Sequence, residues 1–196
     1  MNIKHIENYF LQYNNKKMSA SDEQDRQVEH SFSVGVIGYP FVGKSTYITR
    51  LDTAEYVSEY TPTVNPNTTH LKFFMKGSDG VIKPLTIIAN EFSYDGSKIP
   101  KQDGYLLMFD LMQRHTYDKL DDIYNCYELD SSDKIILCGN KCDNIETDIK
   151  DSEINFHREK NIIYYPLSVR SNYNYEKPIQ TLTRKMFNDD NIVLSE

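Results

Sequence analysis

Membrane-length apolar runs, a cysteine framework and an excess of base are all missing from this chain of 196 residues. The longest unbroken apolar stretch is Tyr105–Phe109, whereas a helix that spans a bilayer takes about 20 residues. No apolar run near the start leads into a small-residue cleavage site, so no secretory signal is expected. Cysteine is limited to Cys126, Cys138 and Cys142. An odd number without a CxxC pair points to a reduced, intracellular protein, cytoplasmic, nuclear or both. Lys and Arg number 22 against 29 Asp and Glu, a formal charge of −7. Neutralising nucleic-acid phosphates needs the opposite sign, and no local run of bases offsets the total. Residues 191–196 hold no cysteine for a prenyl group and residue 2 is Asn, not Gly, so no lipid anchor is expected. Aromatic side chains are plentiful instead, 15 Tyr and 9 Phe in a 39% hydrophobic composition. That is enough to build a core, and it excludes wholesale disorder.

Three stretches differ in pattern. In residues 1–30, Ile3, Ile6, Phe10 and Tyr13 share one helical face and Ser19–His30 reads as a polar linker, an extension ahead of the main domain. Residues 31–187 alternate short apolar strands with amphipathic helices, the pattern of an α/β sheet covered on both faces. Phe32, Val34, Val36 and Ile37 open the first strand. Thr68–Met75 and Val81–Ala89 form a hairpin around the turn residues Lys76–Gly80. Tyr105–Phe109, Lys134–Cys138 and Ile162–Tyr165 supply three more strands, so six are expected. Helices are predicted at Lys44–Arg50, Thr116–Glu128, Ser152–Lys160 and Tyr175–Phe187. Residues 188–196 read as a short tail.

Gly38, Tyr39, Pro40, Phe41, Val42, Gly43, Lys44 and Ser45, with Thr46 next to them, make a complete G-x-x-x-x-G-K-[ST] sequence that leads from an apolar strand into the expected helix Lys44–Arg50. Gly38 and Gly43 allow the backbone to curl so that N–H groups converge on a β-phosphate. Lys44 reaches the outer phosphate oxygens, and the Ser45 hydroxyl suits Mg²⁺. Asn140, Lys141, Cys142 and Asp143 follow a second apolar strand. A carboxylate at Asp143 accepts from both N1–H and the N2 amine of guanine, a pair that adenine lacks. Asn140 can tie this segment to the phosphate loop while the Lys141 stem covers the base. Ser168, Val169 and Arg170, after the strand Ile162–Tyr165, offer backbone N–H groups to guanine O6. Thr63 is a candidate second Mg²⁺ ligand, and Tyr56 is placed to stack on the base.

These pieces together resemble the Ras superfamily of small GTPases over residues 31–187. Residues outside the nucleotide motifs match its Ran, nuclear-transport, branch. They are Met108-Phe-Asp110, Arg114-His-Thr-Tyr117, Leu137-Cys-Gly-Asn-Lys141, Phe156-His-Arg158, Lys160-Asn161, Tyr164-Tyr165 and Ser171-Asn-Tyr-Asn-Tyr-Glu-Lys-Pro178. The resemblance implies a P-loop small G domain that binds GTP and GDP with Mg²⁺. It also implies protein effectors or exchange factors as partners and a role in nucleocytoplasmic transport.

The chain departs from the family pattern after the second hairpin strand. The family carries D-x-x-G there and then a glutamine that orients water. Here the strand ends Ile87-Ile-Ala-Asn-Glu91, which leaves Asn90 as the nearest substitute for the missing aspartate. Asp95-Gly96 comes too late, and Gln102 sits too close to the next strand. With Pro40 and Phe41 in the phosphate loop, slow or absent hydrolysis is expected, and no catalytic residue is assigned beyond the candidate Thr63. The Ran branch carries a basic stretch after its base-reading motif. Here residues 143–160 hold six acids and three bases, a balance of −3, which should suppress those partners. The competing expectation is a pseudo-GTPase, a non-catalytic module using the same fold as a binding surface. A metabolite kinase fits less well, because it has no need of Asn140 to Asp143.

Overall fold

The computed structural model describes residues 30–56 and 67–195. The expected N-terminal helix, nearly all of the polar linker and Thr63 lie outside the described residues. β1 (His30–Gly38) leads into α1 (Lys44–Thr53), and β2 (Asn67–Lys76) and β3 (Ile82–Ser93) form the hairpin. Next come β4 (Gly104–Asp110), α2 (Arg114–Asp118), α3 (Leu120–Cys126), β5 (Ile135–Asn140), α4 (Phe156–Glu159), β6 (Ile163–Pro166), α5 (Lys177–Phe187) and β7 (Val193–Ser195). One sheet takes the order β6-β5-β4-β1-β3-β2-β7. β1 runs parallel to both β3 and β4, and β5 continues the parallel set to β6. β2 is antiparallel to both β3 and β7.

Alternation along the strands decides the layers. Leu106 and Met108 of β4 face a cluster with Val34, Tyr47, Ile48, Leu51, Ile179 and Leu182, so α1 and α5 cover that face. The intervening Tyr105, Leu107 and Phe109 face Leu120, Ile123, Tyr124 and Phe156, the buried residues of α3 and α4. Successive strand residues point to opposite faces. A strand covered on both faces must therefore be apolar throughout, which is why β4 reads as one continuous run. Cutting the fully buried Ile123 to Ala costs about 2–5 kcal/mol through lost transfer energy and the cavity left behind.

The sheet has seven strands where the sequence suggested six. The seventh comes from the segment expected to be a tail. Val193, Leu194 and Ser195 pair with Lys76, Met75 and Phe74, and Leu194 packs on the first core cluster. Two anchors precede it. Gln180 Nε2 and Arg184 Nε both donate to Ile192 O. The Asp189 carboxylate accepts from Ser78 N–H at 2.7 Å and Ser78 Oγ at 2.6 Å. Three residues carry no periodic signature, so only their pairing reveals the strand. Two helices are also shorter than expected. Lys119 separates α2 from α3, and the segment around 152–160 forms a 3₁₀ turn at Asp151–Glu153 followed by the single turn of α4.

Gly38, Glu91, Asp110 and Asn140 lie at or near the C-terminal ends of β1, β3, β4 and β5. These strands flank the place where the chain order reverses across β1. Open parallel sheets bind ligands at such a switch point.

Candidate functional site

The phosphate loop needs glycine at two places. A Cβ on Gly38 would stand 2.3 Å from Met108 O, and one on Gly43 would stand 2.4 Å from Asn140 Nδ2, where φ is +97°. Both positions exclude a side chain by contact, and the second also by backbone conformation. The N-terminus of α1 has neither a side-chain cap nor an acidic residue in its first turn. The N–H groups and positive dipole end of a helix left in this state suit an anion. Lys44 is 3% exposed and its Nζ donates to Tyr39 O at 3.0 Å and Gly38 O at 3.3 Å. Burial lowers its pKa to about 8, against the opposing pull of the Glu91 charge. Neutral carbonyls compensate a buried ammonium poorly, and a phosphate would supply the missing counter-charge. The donor set and the glycine cradle therefore fit a polyphosphate.

Ser45 Oγ donates to Glu91 Oε1 at 2.8 Å, which corrects the expectation for Asn90. Leu85, Ile87, Ala89 and Glu91 are buried on the same side of β3, while Asn90 points the other way. There Asn90 accepts from Thr68 Oγ1 at 2.7 Å and donates to Gln102 Oε1 at 2.8 Å. Glu91 was missed, although counting in twos from Ile87 would have found it. Immediately after β3, Tyr94 N–H donates to Gly38 O at 3.0 Å and the Tyr94 ring packs edge-on to Tyr127. This part of the chain extends β3 pairing past the expected end and is held from both sides. Gln102 is buried too, and its Nε2 donates to Pro100 O at 2.9 Å.

At the other end, Asn140 joins three segments. Its Nδ2 donates to Val42 O at 2.9 Å, and its Oδ1 accepts from Lys141 N–H at 2.8 Å and Val169 N–H at 3.3 Å. Lys141 Nζ pairs at 2.5 Å with Asp110 Oδ2, a fully buried carboxylate, and also reaches Phe41 O at 3.3 Å. Asp110 is a second residue that sequence reasoning left out of the site; it ends β4 directly beside Asn140 at the end of β5. Ser168 N–H donates to Tyr173 O at 2.9 Å. In this structure the Ser168 and Val169 amides are thus engaged within the protein. Gly43, Thr46, Tyr56, Asn140, Lys141, Asp143, Ser168, Val169 and Arg170 still converge on one cavity of about 280 Å³. Tyr56 and Asp143 are exposed at its rim. A larger cavity of about 670 Å³ also borders Asp143, and it touches no residue of the phosphate loop.

The loop also holds unusual residues. Pro40 is half-buried, and the Tyr39 ring meets His115 edge-on at 5.3 Å between centroids. Phe41 takes a φ of +68° and is 59% exposed.

Compared with models of known protein families, residues 33–188 match the Ras family. That span runs from β1 to the end of α5 and holds both ends of the groove, from Gly38 to Asp143. The chain belongs to the Ras family of GTP-binding small GTPases.

Proposed function

We propose that this protein is a Ran-like guanine-nucleotide holder that binds GDP and GTP with Mg²⁺ and hydrolyses GTP slowly or not at all. The observation that carries the reading is the Asn140–Val42 hydrogen bond of 2.9 Å, which welds the base-reading segment to the phosphate loop and makes one continuous groove. In this reading Lys44 and the α1 amides hold the phosphates, Asp143 reads guanine, and Tyr56 and the Lys141 stem flank the base. Ser45 and Thr63 ligate Mg²⁺, and Glu91 orients Ser45 from behind. A bound Mg²⁺ would neutralise charge on the phosphates; the protein's own part is to hold that charge in place.

Slow turnover follows from what surrounds the outer phosphate. Phosphoryl transfer depends on positioning and charge stabilisation, and Gln102 is bonded to Asn90 and Pro100 rather than free to orient water. The tethered Tyr94 amide favours a second reading, in which the fold serves as a non-catalytic binding module. A transport role rests on the Ran-type runs such as Ser171–Pro178. The acidic balance of residues 143–160 directs the partner search toward basic surfaces.

The test is to denature the purified protein and identify released nucleotide by ion-exchange chromatography, then repeat after incubation with GTP and Mg²⁺. Recovered guanine nucleotide with GTP slowly becoming GDP supports the reading. Unchanged GTP favours the non-catalytic module, and a protein that takes up nothing sinks the nucleotide-switch reading and leaves the module as a scaffold.

A further inference from the structure

We infer that Arg50 is a positioning residue for guanine recognition, holding the segment Ser168–Arg170 in place through Asn172; the inference rests on the nucleotide-binding reading above. Arg50 lies in the last turn of α1, the helix that begins with Lys44 and Ser45. Its side chain is buried. A terminal nitrogen donates to Asn172 Oδ1, and the guanidinium stands 5.7 Å from the centre of the Tyr175 ring. Arg50 Nε is buried and meets no hydrogen-bond partner among the described residues. A buried cation held by a neutral amide and a ring adds little stability, because no opposite charge returns the cost of desolvation. What the arrangement supplies is placement. A planar fork that donates and lies against a ring at once fixes direction as well as distance.

Position identifies what is placed. Ser168, Val169 and Arg170 line the same cavity as Asn140 and Asp143, and Arg50 is not part of that lining. Ser168 N–H donates to Tyr173 O at 2.9 Å, and Ser171 N–H donates to Ser168 Oγ at 3.0 Å. Residues 168–173 therefore form one closed turn, with Asn172 inside it. Asn172 and Asn174 take φ of +64° and +56°, in the left-handed region that Asn tolerates better than most side chains. Asn174 Nδ2 donates to Pro166 O at 2.9 Å, which ties the turn to β6, and Arg50 ties it to α1. Because the turn is closed, a shift of Asn172 carries the amides of residues 168–170 with it. Asn140 already joins the base-reading segment to the phosphate loop. Arg50 adds a second link between the two ends of the groove, carried by the length of α1.

The experiment loads the full chain with a fluorescent GDP analogue at fixed Mg²⁺ and displaces it with GDP, with 6-thioguanosine diphosphate or with pyrophosphate. The thio analogue keeps N1–H and the N2 amine but carries sulfur, a weaker acceptor, in place of O6. The ratio of GDP to thio-analogue affinity thus reads the amides of residues 168–170, and pyrophosphate reads the phosphate end. Arg50→Met keeps a buried stem and removes the donor. Asn172→Gly keeps the positive φ and removes the acceptor, whereas Asn172→Asp keeps both. Arg50→Met and Asn172→Gly are expected to lose about tenfold in GDP affinity, the scale of one hydrogen bond. Their preference for GDP over the thio analogue should fall to near parity, with pyrophosphate affinity within about twofold of wild type. Asn172→Asp should keep the wild-type preference. Equal losses for all three ligands overturn the inference, because a merely structural role would produce them. An unchanged preference in Asn172→Gly overturns it too, even where Arg50→Met fails to fold, and so does an Asn172→Asp protein that behaves like Asn172→Gly. A wild-type protein that binds GDP without preferring it to the thio analogue does the same. A wild-type protein that takes up no GDP defeats the nucleotide-binding reading first, before any ratios are compared.

Discussion

The two ends of the groove are held in different ways. At the base end, one side chain, Asn140, bonds to the phosphate loop, to its own segment and to the segment at Val169, and Lys141 adds a tie to Asp110. At the phosphate end, Lys44 leans on backbone carbonyls and Ser45 on a carboxylate from β3. Beyond that carboxylate the chain is bonded to itself, through Tyr94 to Gly38 and through Gln102 to Asn90. The difference teaches that base recognition here is preorganised by redundant hydrogen bonds. The outer-phosphate side, by contrast, keeps the means to hold charge, and the described segment after β3 is bonded to the protein itself. Under the function proposed above, binding without efficient turnover is the expected consequence.

The strongest way to break this comparison is Lys44→Ala. It should lower GDP affinity by about 100-fold or more, since a charge-assisted contact to phosphate is lost, while leaving guanosine binding within about twofold. Calorimetry with both ligands checks it, and a parallel loss for guanosine would mean that the two ends are not separable. Asp143→Asn acts on the base end and should cost about 30-fold in GDP affinity while improving xanthosine diphosphate. Equal affinity for both nucleotides before and after the change would remove Asp143 from the base-reading role.

Glu91→Gln sharpens the phosphate end. The Mg²⁺ concentration that half-retains GDP should rise about tenfold, the usual scale for a residue that orients a metal ligand. Glu91→Asp should fall between the variant and wild type, and an unchanged Mg²⁺ titration would assign Glu91 to packing alone. Gln102→Leu should leave GTP turnover unchanged and lower stability by about 1 kcal/mol, because Asn90 Nδ2 loses its acceptor. Single-turnover kinetics that fell steeply would show that Gln102 swings into the groove after all.

The smallest effect lies away from both ends and sets the background for pH experiments. Hydrogen bonds from Ser78, with Asn191 adding a third donor, hold the Asp189 pKa at about 2, below its ordinary 3.8. A depressed carboxylate pKa stabilises the fold above its unfolded value and loses that contribution as the pH falls toward the folded one. Thermal melts should thus show the wild type losing more stability than Asp189→Asn between about pH 4 and pH 2. Parallel curves would mean that the clamp between hairpin and C-terminus adds nothing.

Much of this was legible in the residues. The phosphate loop, the Asn140 to Asp143 segment and the buried strands announced themselves, because each is a local pattern whose chemistry depends on near neighbours. Glu91 was missed for a specific reason: the family carries aspartate, and Asn90 lay closest to where one was sought. Strand parity put Asn90 on the wrong face, and parity is fixed by which residues are buried. Asp110 looked like the end of a strand until Lys141 was found against it. β7 was invisible because a three-residue strand exists only through its partner.

By itself, then, the sequence determined the layered α/β class, the phosphate cradle and the choice of guanine as the expected base, all through contacts between residues close along the chain. The tertiary structure decided which carboxylate meets Ser45 across 46 residues, and how Asn140 reaches Val42 across 98. It also decided that Tyr94 closes onto Gly38 and that Val193, Leu194 and Ser195 pair with β2. Those partners are brought together by sheet order and burial. A pairing of that kind leaves no local pattern, because its free energy depends on the whole packed core being in place.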